Sequence, residues 1–292
     1  MPLNLTGTGI WSGELRRHAD PGEVADAAAE LDELGYAALW IPGGEPGSAF
    51  NAVSGLLGAT RSATVATGIL SVWSHDPELV AAERSELHDA FGGRFLLGLG
   101  VSHAPLVGSD RYRRPLAKMR AYLDSLDVAA PPVLPEMRVL AALGPKMLEL
   151  ARERSLGAHP YLVTPEHTRR AREALGPEKL VAPEQGVVIE RDPERARAIA
   201  RANLERYLAL PNYTNNMRRL GFGDADFEQG GSERLVDGLV AWGDDEAIAE
   251  RVREHREAGA DQVLIQVLTD PGREGLPRDE WRALAPALTE AG

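Results

Sequence analysis

The feature that most constrains this chain is an alternation. Eight short apolar segments recur along it, at residues 3–11, 38–41, 65–73, 95–99, 138–143, 157–163, 180–189 and 262–268. Nearly every one is followed by a stretch with the 3.6-residue periodicity of an amphipathic helix. The helix starts are written in local chemistry: Asp20-Pro21 and Thr164-Pro165 each pair a capping side chain with a proline in the first turn. The stops are glycines, at Gly35, Gly92, Gly93 and Gly259. Apolar strands alternating with helices imply a parallel sheet buried on both faces. Eight such units point to a closed (β/α)8 barrel. An open dinucleotide-binding sheet fits less well, because the first βα turn has no Gly-x-Gly-x-x-Gly. One barrel domain therefore accounts for residues 1–292. Only residues 211–243 break the rhythm, and their asparagines and glycines predict a loop-rich insertion with short helical pieces.

Charge and composition remove several function classes. The formal net charge is −12 and the pI about 5.1, which argues against a nucleic-acid or anionic-membrane surface. No run of eighteen apolar residues is present, so no membrane span is expected. Met1-Pro-Leu-Asn-Leu-Thr6 lacks the basic start and apolar core of a signal peptide. The chain has no cysteine, which excludes disulfides and thiol nucleophiles and fits a cytoplasmic protein.

In a barrel of this kind the chemistry sits where the strands end. The exits carry Trp11, Ser12 and Glu14; then Pro42 to Glu45; then Ser71, Trp73 and His75; then Gly100, Val101, Ser102 and His103. The later exits carry Ala142, Gly144 and Pro145, then His159 and Tyr161, then Glu184 and Gln185. His75, His103 and His159 are candidates for substrate binding or proton transfer, against the plainer reading of hydrogen-bonded wall residues. None belongs to an i, i+4 histidine pair, so no metal site is expected. No Gly-x-Ser-x-Gly elbow marks a serine nucleophile. Two exits favour a phosphate instead. Gly144-Pro145-Lys146 turns a strand straight into a helix, whose free amides point to the barrel mouth, and Gly100-Val-Ser-His103 supplies a second close backbone approach.

Taken together, four blocks resemble the bacterial luciferase-like family. They are Leu31-Asp-Glu-Leu-Gly-Tyr-Ala-Ala-Leu-Trp40, Ala66-Thr-Gly-Ile69, His75-Asp-Pro77, and Gly92-Gly-Arg-Phe-Leu-Leu-Gly-Leu-Gly-Val101. The late Gly259-Ala-Asp-Gln-Val-Leu-Ile265 resembles that family's last barrel strand. Within the family the chain is most similar to the actinobacterial F420-dependent oxidoreductases. The resemblance implies a barrel with a late insertion and a deazaflavin or flavin in its mouth. It also implies a non-proline cis peptide at Gly68–Ile69 against the cofactor ring, and tail contacts at Gly100, Val101, Ser102 and His103 and at Ala142, Gly144 and Pro145.

One block departs from the pattern. F420-dependent sugar-phosphate and alcohol dehydrogenases of the family carry an Asp-His pair after the second strand. Here that position reads Ile41-Pro-Gly-Gly-Glu45, which leaves Glu45, His75, His103 or His159 for proton transfer. The expectation is a cytoplasmic enzyme moving a hydride between coenzyme F420 and a small-molecule substrate, assembled as a homodimer or higher oligomer. Trp11, Trp40 and Trp73 are candidates to pack the ring or the substrate, or simply to fill core and rim. The competing readings are an FMN-dependent monooxygenase and a non-catalytic cofactor- or ligand-binding barrel.

Overall fold

The structure, a computed structural model, describes residues 3–44 and 48–289. Its strands are β1 (Gly7–Trp11), β2 (Ala38–Ile41), β3 (Thr64–Thr67), β4 (Leu70–Ser71), β5 (Phe95–Gly100) and β6 (Arg138–Leu140). They continue with β7 (Gly157–Ala158), β8 (Leu180–Val181), β9 (Glu184–Ile189), β10 (Val240–Gly243) and β11 (Gln262–Val267). All pairings are parallel, in the order β10-β9-β11-β1-β2-β3-β5-β6-β7-β8, with β4 also on β5.

Closure follows from one kinked strand. β8 and β9 are halves of a single extended segment broken at Ala182-Pro183, where proline has no N–H to give. On one side Leu180 and Glu184 donate to the carbonyls of Leu156 and Pro160; on the other, Asp261 and Leu264 donate to those of Val181 and Pro183. The segment thus bridges β7 to β11, and the chain is a (β/α)8 barrel. Residues 211–243 are more regular than their composition predicts. They hold helices Pro211–Arg219 and Glu233–Leu239, a 3-10 turn Asp224–Gly230, and β10, which adds to the upper half of β9.

The strands are apolar on both faces because each face meets a different core. Leu39, Ile41, Phe95 and Leu97 pack outward against the helices. Ala38, Trp40, Leu96, Val139 and Leu264 fill the barrel interior. Helix starts follow the predicted chemistry: the Asp20 carboxylate accepts from the amides of Gly22 and Glu23, and the Thr164 hydroxyl from that of His167. At the end where strands begin, two buried arginines serve the backbone. Arg94 donates to the Thr60 hydroxyl and to the carbonyls of Leu57, Thr60 and Ala63. Arg138 donates to the carbonyls of Val133 and Arg154 and pairs with Asp127 at 2.7 Å.

The third strand is the irregular one. It was expected to run unbroken through residues 65–73, yet Ala66 faces Leu96 while Leu70 faces Leu99, so one extra residue is inserted. The Thr67 hydroxyl fills the gap in the ladder, donating to Gly98 O and accepting from Gly98 N. The bulge lies at the Gly68–Ile69 peptide, which is cis, as the resemblance implies.

Candidate active site

The strand ends open into a cavity of ≈ 640 Å³, within the range typical of small-molecule sites. Its floor is the bulge. A Cβ on Gly98 would lie 1.8 Å from Thr67 O, and one on Gly100 would lie 2.5 Å from Ile69 Cδ1. Both glycines of the β5 run therefore make room for the bulge, which pushes Ile69 over the strand. The Trp11 indole N–H donates to Gly68 O at 3.2 Å and holds the floor from the side.

His159 forms the adjoining wall. Its Nδ1 lies 2.8 Å from Ala182 O, a pure acceptor, so Nδ1 carries the proton. Nε2 is buried without a partner and faces Gly68, where an added Cβ would approach it to 3.1 Å. Burial depresses the imidazole to a pKa of about 4, so the ring is neutral at pH 7 and Nε2 presents a lone pair.

Opposite the floor stands a run of aromatic rings. Centroids step from Trp11 to Tyr161 (5.2 Å), from Tyr161 to Tyr207 (5.5 Å), from Tyr207 to Tyr213 (5.3 Å) and from Tyr213 to His103 (4.9 Å). The Tyr161 hydroxyl donates to Gln266 Oε1 at 2.6 Å and lies 2.9 Å from that of Tyr207. Burial raises the phenols of Tyr161 and Tyr213 well above their ordinary range, so both stay protonated. Behind Tyr161, Glu184 is buried and accepts from the Leu162 amide at 2.9 Å. Desolvation raises its carboxyl to about 8, leaving it largely neutral at pH 7. Leu162 itself sits at φ +57°, a left-handed turn after Tyr161 that this contact helps hold.

At the far end Gly144 caps the helix Pro145–Arg154 without a side-chain bond; Pro145 has no N–H and the Met147 amide donates to Gly144 O, so Lys146 carries the first-turn amide left available. Arg219 lies over this position, 3.7 Å from where a Cβ on Gly144 would be. Among the described residues Arg206 and Arg219 form no ion pair. Arg17 and Arg273, also on the lining, pair with Glu14 and Glu280.

Most of the sequence candidates meet in this cavity: Gly68, Ile69, Gly100, Val101, Ser102, His103, Ala142, Gly144 and His159 all line it. Pro145 begins the helix behind Gly144 and is not on the lining. His103 has a buried, unpartnered Nδ1, and burial lowers its pKa. Ser102, at φ +54°, offers its carbonyl to the Tyr112 hydroxyl and to Asn212 Nδ2, tying the exit of β5 to the insertion. His75 is placed elsewhere. The turn after β4 lays its Nδ1 3.0 Å from Ser71 O, which buries the ring outside the cavity. Trp73 is also drawn off the lining, donating to Val101 O and lying beneath Lys118. Trp40 is barrel core, bonded to Gln262. Glu45 lies outside the described residues. Sequence reasoning missed Arg206, Tyr207, Tyr213 and Arg219. A signal existed, since two of the chain's six tyrosines fall close together at the edge of the predicted insertion.

Comparison with known proteins places this arrangement. Residues 5–262 match the family described as luciferase-like monooxygenase. The chain is 33% identical over 125 residues to the 4-hydroxyprotoasukamycin monooxygenase of Streptomyces nodosus subsp. asukaensis. That stretch covers 37% of this chain and 32% of the relative, so the match spans about a third of the relative's length. Among solved structures, the F420-dependent tetrahydromethanopterin reductase of Methanopyrus kandleri superposes with a TM-score of 0.68 at 15% identity, over 96% of each chain. The oxygenating constituent of 3,6-diketocamphane monooxygenase from Pseudomonas putida, in complex with FMN, gives 0.66 at 13% identity, over 98% of this chain and 97% of that one. At such identities the two structures speak for the fold.

Proposed function

This chain belongs to the luciferase-like monooxygenase family, and we propose that it is an oxidoreductase moving a hydride between coenzyme F420 and a small organic substrate. The observation that carries the reading is the floor of the cavity: the Gly68–Ile69 bulge beside a fully buried histidine whose Nε2 has no partner among the described residues. A buried polar atom of this kind calls for a bound group, and a flat ring bearing N–H and C=O groups over the bulge supplies one. The free Lys146 amide beside Gly144 and the Arg219 guanidinium suit the phosphate of the tail. When bound, the deazaflavin supplies two-electron hydride chemistry.

The protein's own part is positional. The bulge sets the plane of the ring, and the aromatic run keeps water from the face where substrate sits. His159 offers Nε2 as an acceptor for an N–H or O–H of the bound pair. His103 offers Nδ1 at the other end of the aromatic run. With no Asp-His pair after β2, these two histidines, with Glu45, are the candidates for proton handling. A cytoplasmic location and homo-oligomeric assembly complete the proposal. A second reading is an FMN-dependent monooxygenase; the similarity to the Streptomyces monooxygenase supports its oxygenation chemistry and does not bear on the cofactor.

Parallel titrations of purified protein with F420 and with FMN, read by quenching of ring fluorescence, test the assignment. F420 is expected to bind more tightly and to change redox state with a turned-over substrate. Tighter binding of FMN with oxygen-dependent turnover moves the assignment to the second reading. Negligible quenching with both overturns the two together.

A further inference from the structure

The aromatic run touches the cofactor floor only through the Trp11 indole, and it reaches well beyond what holding that floor needs. Five rings from four separate parts of the chain meet there, and centroid spacings of 4.9–5.5 Å are those of offset and edge contacts between aromatic rings. Their polar tips are turned toward each other: Tyr161, Tyr207 and Gln266 satisfy one another's hydroxyl and amide groups. What Tyr161 and Tyr207 leave for a ligand is ring face and ring edge.

Beside this surface stands one uncommitted cation. The Arg206 guanidinium lies 4.7 Å from the Tyr207 ring centroid and donates to the Tyr207 hydroxyl at 3.0 Å. It lines the cavity and forms no ion pair among the described residues. Aromatic cages also attract cations, but here Arg206 already occupies the face of Tyr207. The lining carries Arg17, Arg219 and Arg273 as well, against Glu14, so a cationic ligand meets like charge at the entrance.

Resting on the oxidoreductase reading above, we infer that the substrate is a flat aromatic carboxylate. Its ring lies among Trp11, Tyr161, Tyr207, Tyr213 and His103, and its carboxylate is at Arg206. The ring gains edge and face contacts, and the carboxylate takes the N–H groups that the tyrosine leaves unused.

Calorimetric titration of the cofactor-saturated protein with three probes of matched size tests this: 2-naphthoate, 2-naphthamide and decalin-2-carboxylate. The first is expected to bind roughly tenfold more tightly than either of the others, the weight of one charge-assisted contact or one set of ring contacts. Arg206→Gln is expected to erase the margin of acid over amide and to keep the margin of naphthalene over decalin. Tyr213→Leu is expected to do the reverse. Equal binding of acid and amide, equal binding of naphthalene and decalin, or binding of none of the three overturns the inference. Cofactor quenching on the same samples separates the two claims. A protein that binds F420 and ignores the acid series loses only the substrate assignment; one that binds 2-naphthoate with the stated margins but no cofactor loses only the oxidoreductase reading.

Discussion

Where the strands begin, Arg94 is buried and spends its guanidinium on four hydrogen bonds to one hydroxyl and three carbonyls. Where the strands finish, Arg206 and Arg219 are exposed and pair with no carboxylate among the described residues. The two ends of the barrel apply one residue type to opposite purposes. At the closed end a charge is taken from water only because backbone acceptors replace the water it loses, which is the condition for a buried cation to be tolerated. At the mouth, arginine, histidine and glutamate groups are left with bonding capacity that the fold does not consume. His159 Nε2 and His103 Nδ1 have no partner, and burial keeps both rings neutral. The difference teaches that two buried nitrogens the fold leaves unsatisfied, His159 Nε2 and His103 Nδ1, belong to the cavity lining, where a ligand can satisfy them.

The largest effect expected from breaking this contrast is at the closed end. Arg94→Ala orphans three buried carbonyls together, so a loss of about 3–5 kcal/mol in urea unfolding is expected. Cofactor affinity per folded molecule should not change. A loss below about 1 kcal/mol would mean that water reaches those carbonyls and that the closed end is less sealed than its hydrogen bonds indicate.

How far each end was legible in the sequence follows from the range of the interactions involved. Strands, helix starts and glycine stops are local, so the barrel and the Asp20 and Thr164 caps were readable. The floor was readable too, because Ala66-Thr-Gly-Ile69 and the Gly98 and Gly100 positions form a compact motif. The aromatic run was not. Its members lie at 11, 103, 161, 207 and 213, and only the folded chain brings them to spacings near 5 Å. His75 was misplaced for a related reason: its strand exit was visible, but its capture by the Ser71 carbonyl depends on how the turn after β4 bends. β10 was hidden because its four residues lie inside a segment rich in glycine and asparagine, and pairing with β9 outweighs that local preference.

A pH series separates the two ends next. His159 at the mouth and His255, buried between Thr168 and Gln185 outside the cavity lining, have folded pKa values of about 4 and about 3 against an unfolded value of 6.5. Below pH 6.5 the unfolded chain therefore takes up protons that the native state refuses, and stability falls as pH drops. Glu184 works in the other direction, with about 8 in the fold against 4.5 unfolded. Between those values only the native state holds its proton, so stability falls as pH rises. Each group contributes about 1.4 kcal/mol per pH unit within its window. Together the three place maximum stability near pH 6.5, with losses of about 1 kcal/mol by pH 8 and about 2 kcal/mol by pH 4.5. Glu184→Gln should flatten the alkaline limb and His159→Gln part of the acid limb. The Arg94 variant should keep both limbs, displaced downward. If it instead changed their slopes, the pH response would belong to the whole barrel and not to its mouth.

The smallest effect is the sharpest comparison, because it makes a similar truncation at the other end. Arg219→Gln breaks no ion pair and uncovers no buried acceptor, so unfolding free energy should stay within about 0.5 kcal/mol of the parent. Its cost should appear only on a phosphate-bearing ligand at the Gly144 helix end, as a roughly threefold to fivefold weaker affinity for the intact cofactor. The same ring without its phosphate tail should bind parent and variant equally, and the difference for the intact cofactor should shrink as salt is added. Equal weakening for the tailed and tailless rings would place Arg219 against the ring and not the phosphate. The mouth would then hold its cofactor in the opposite sense, with the tail toward Arg206.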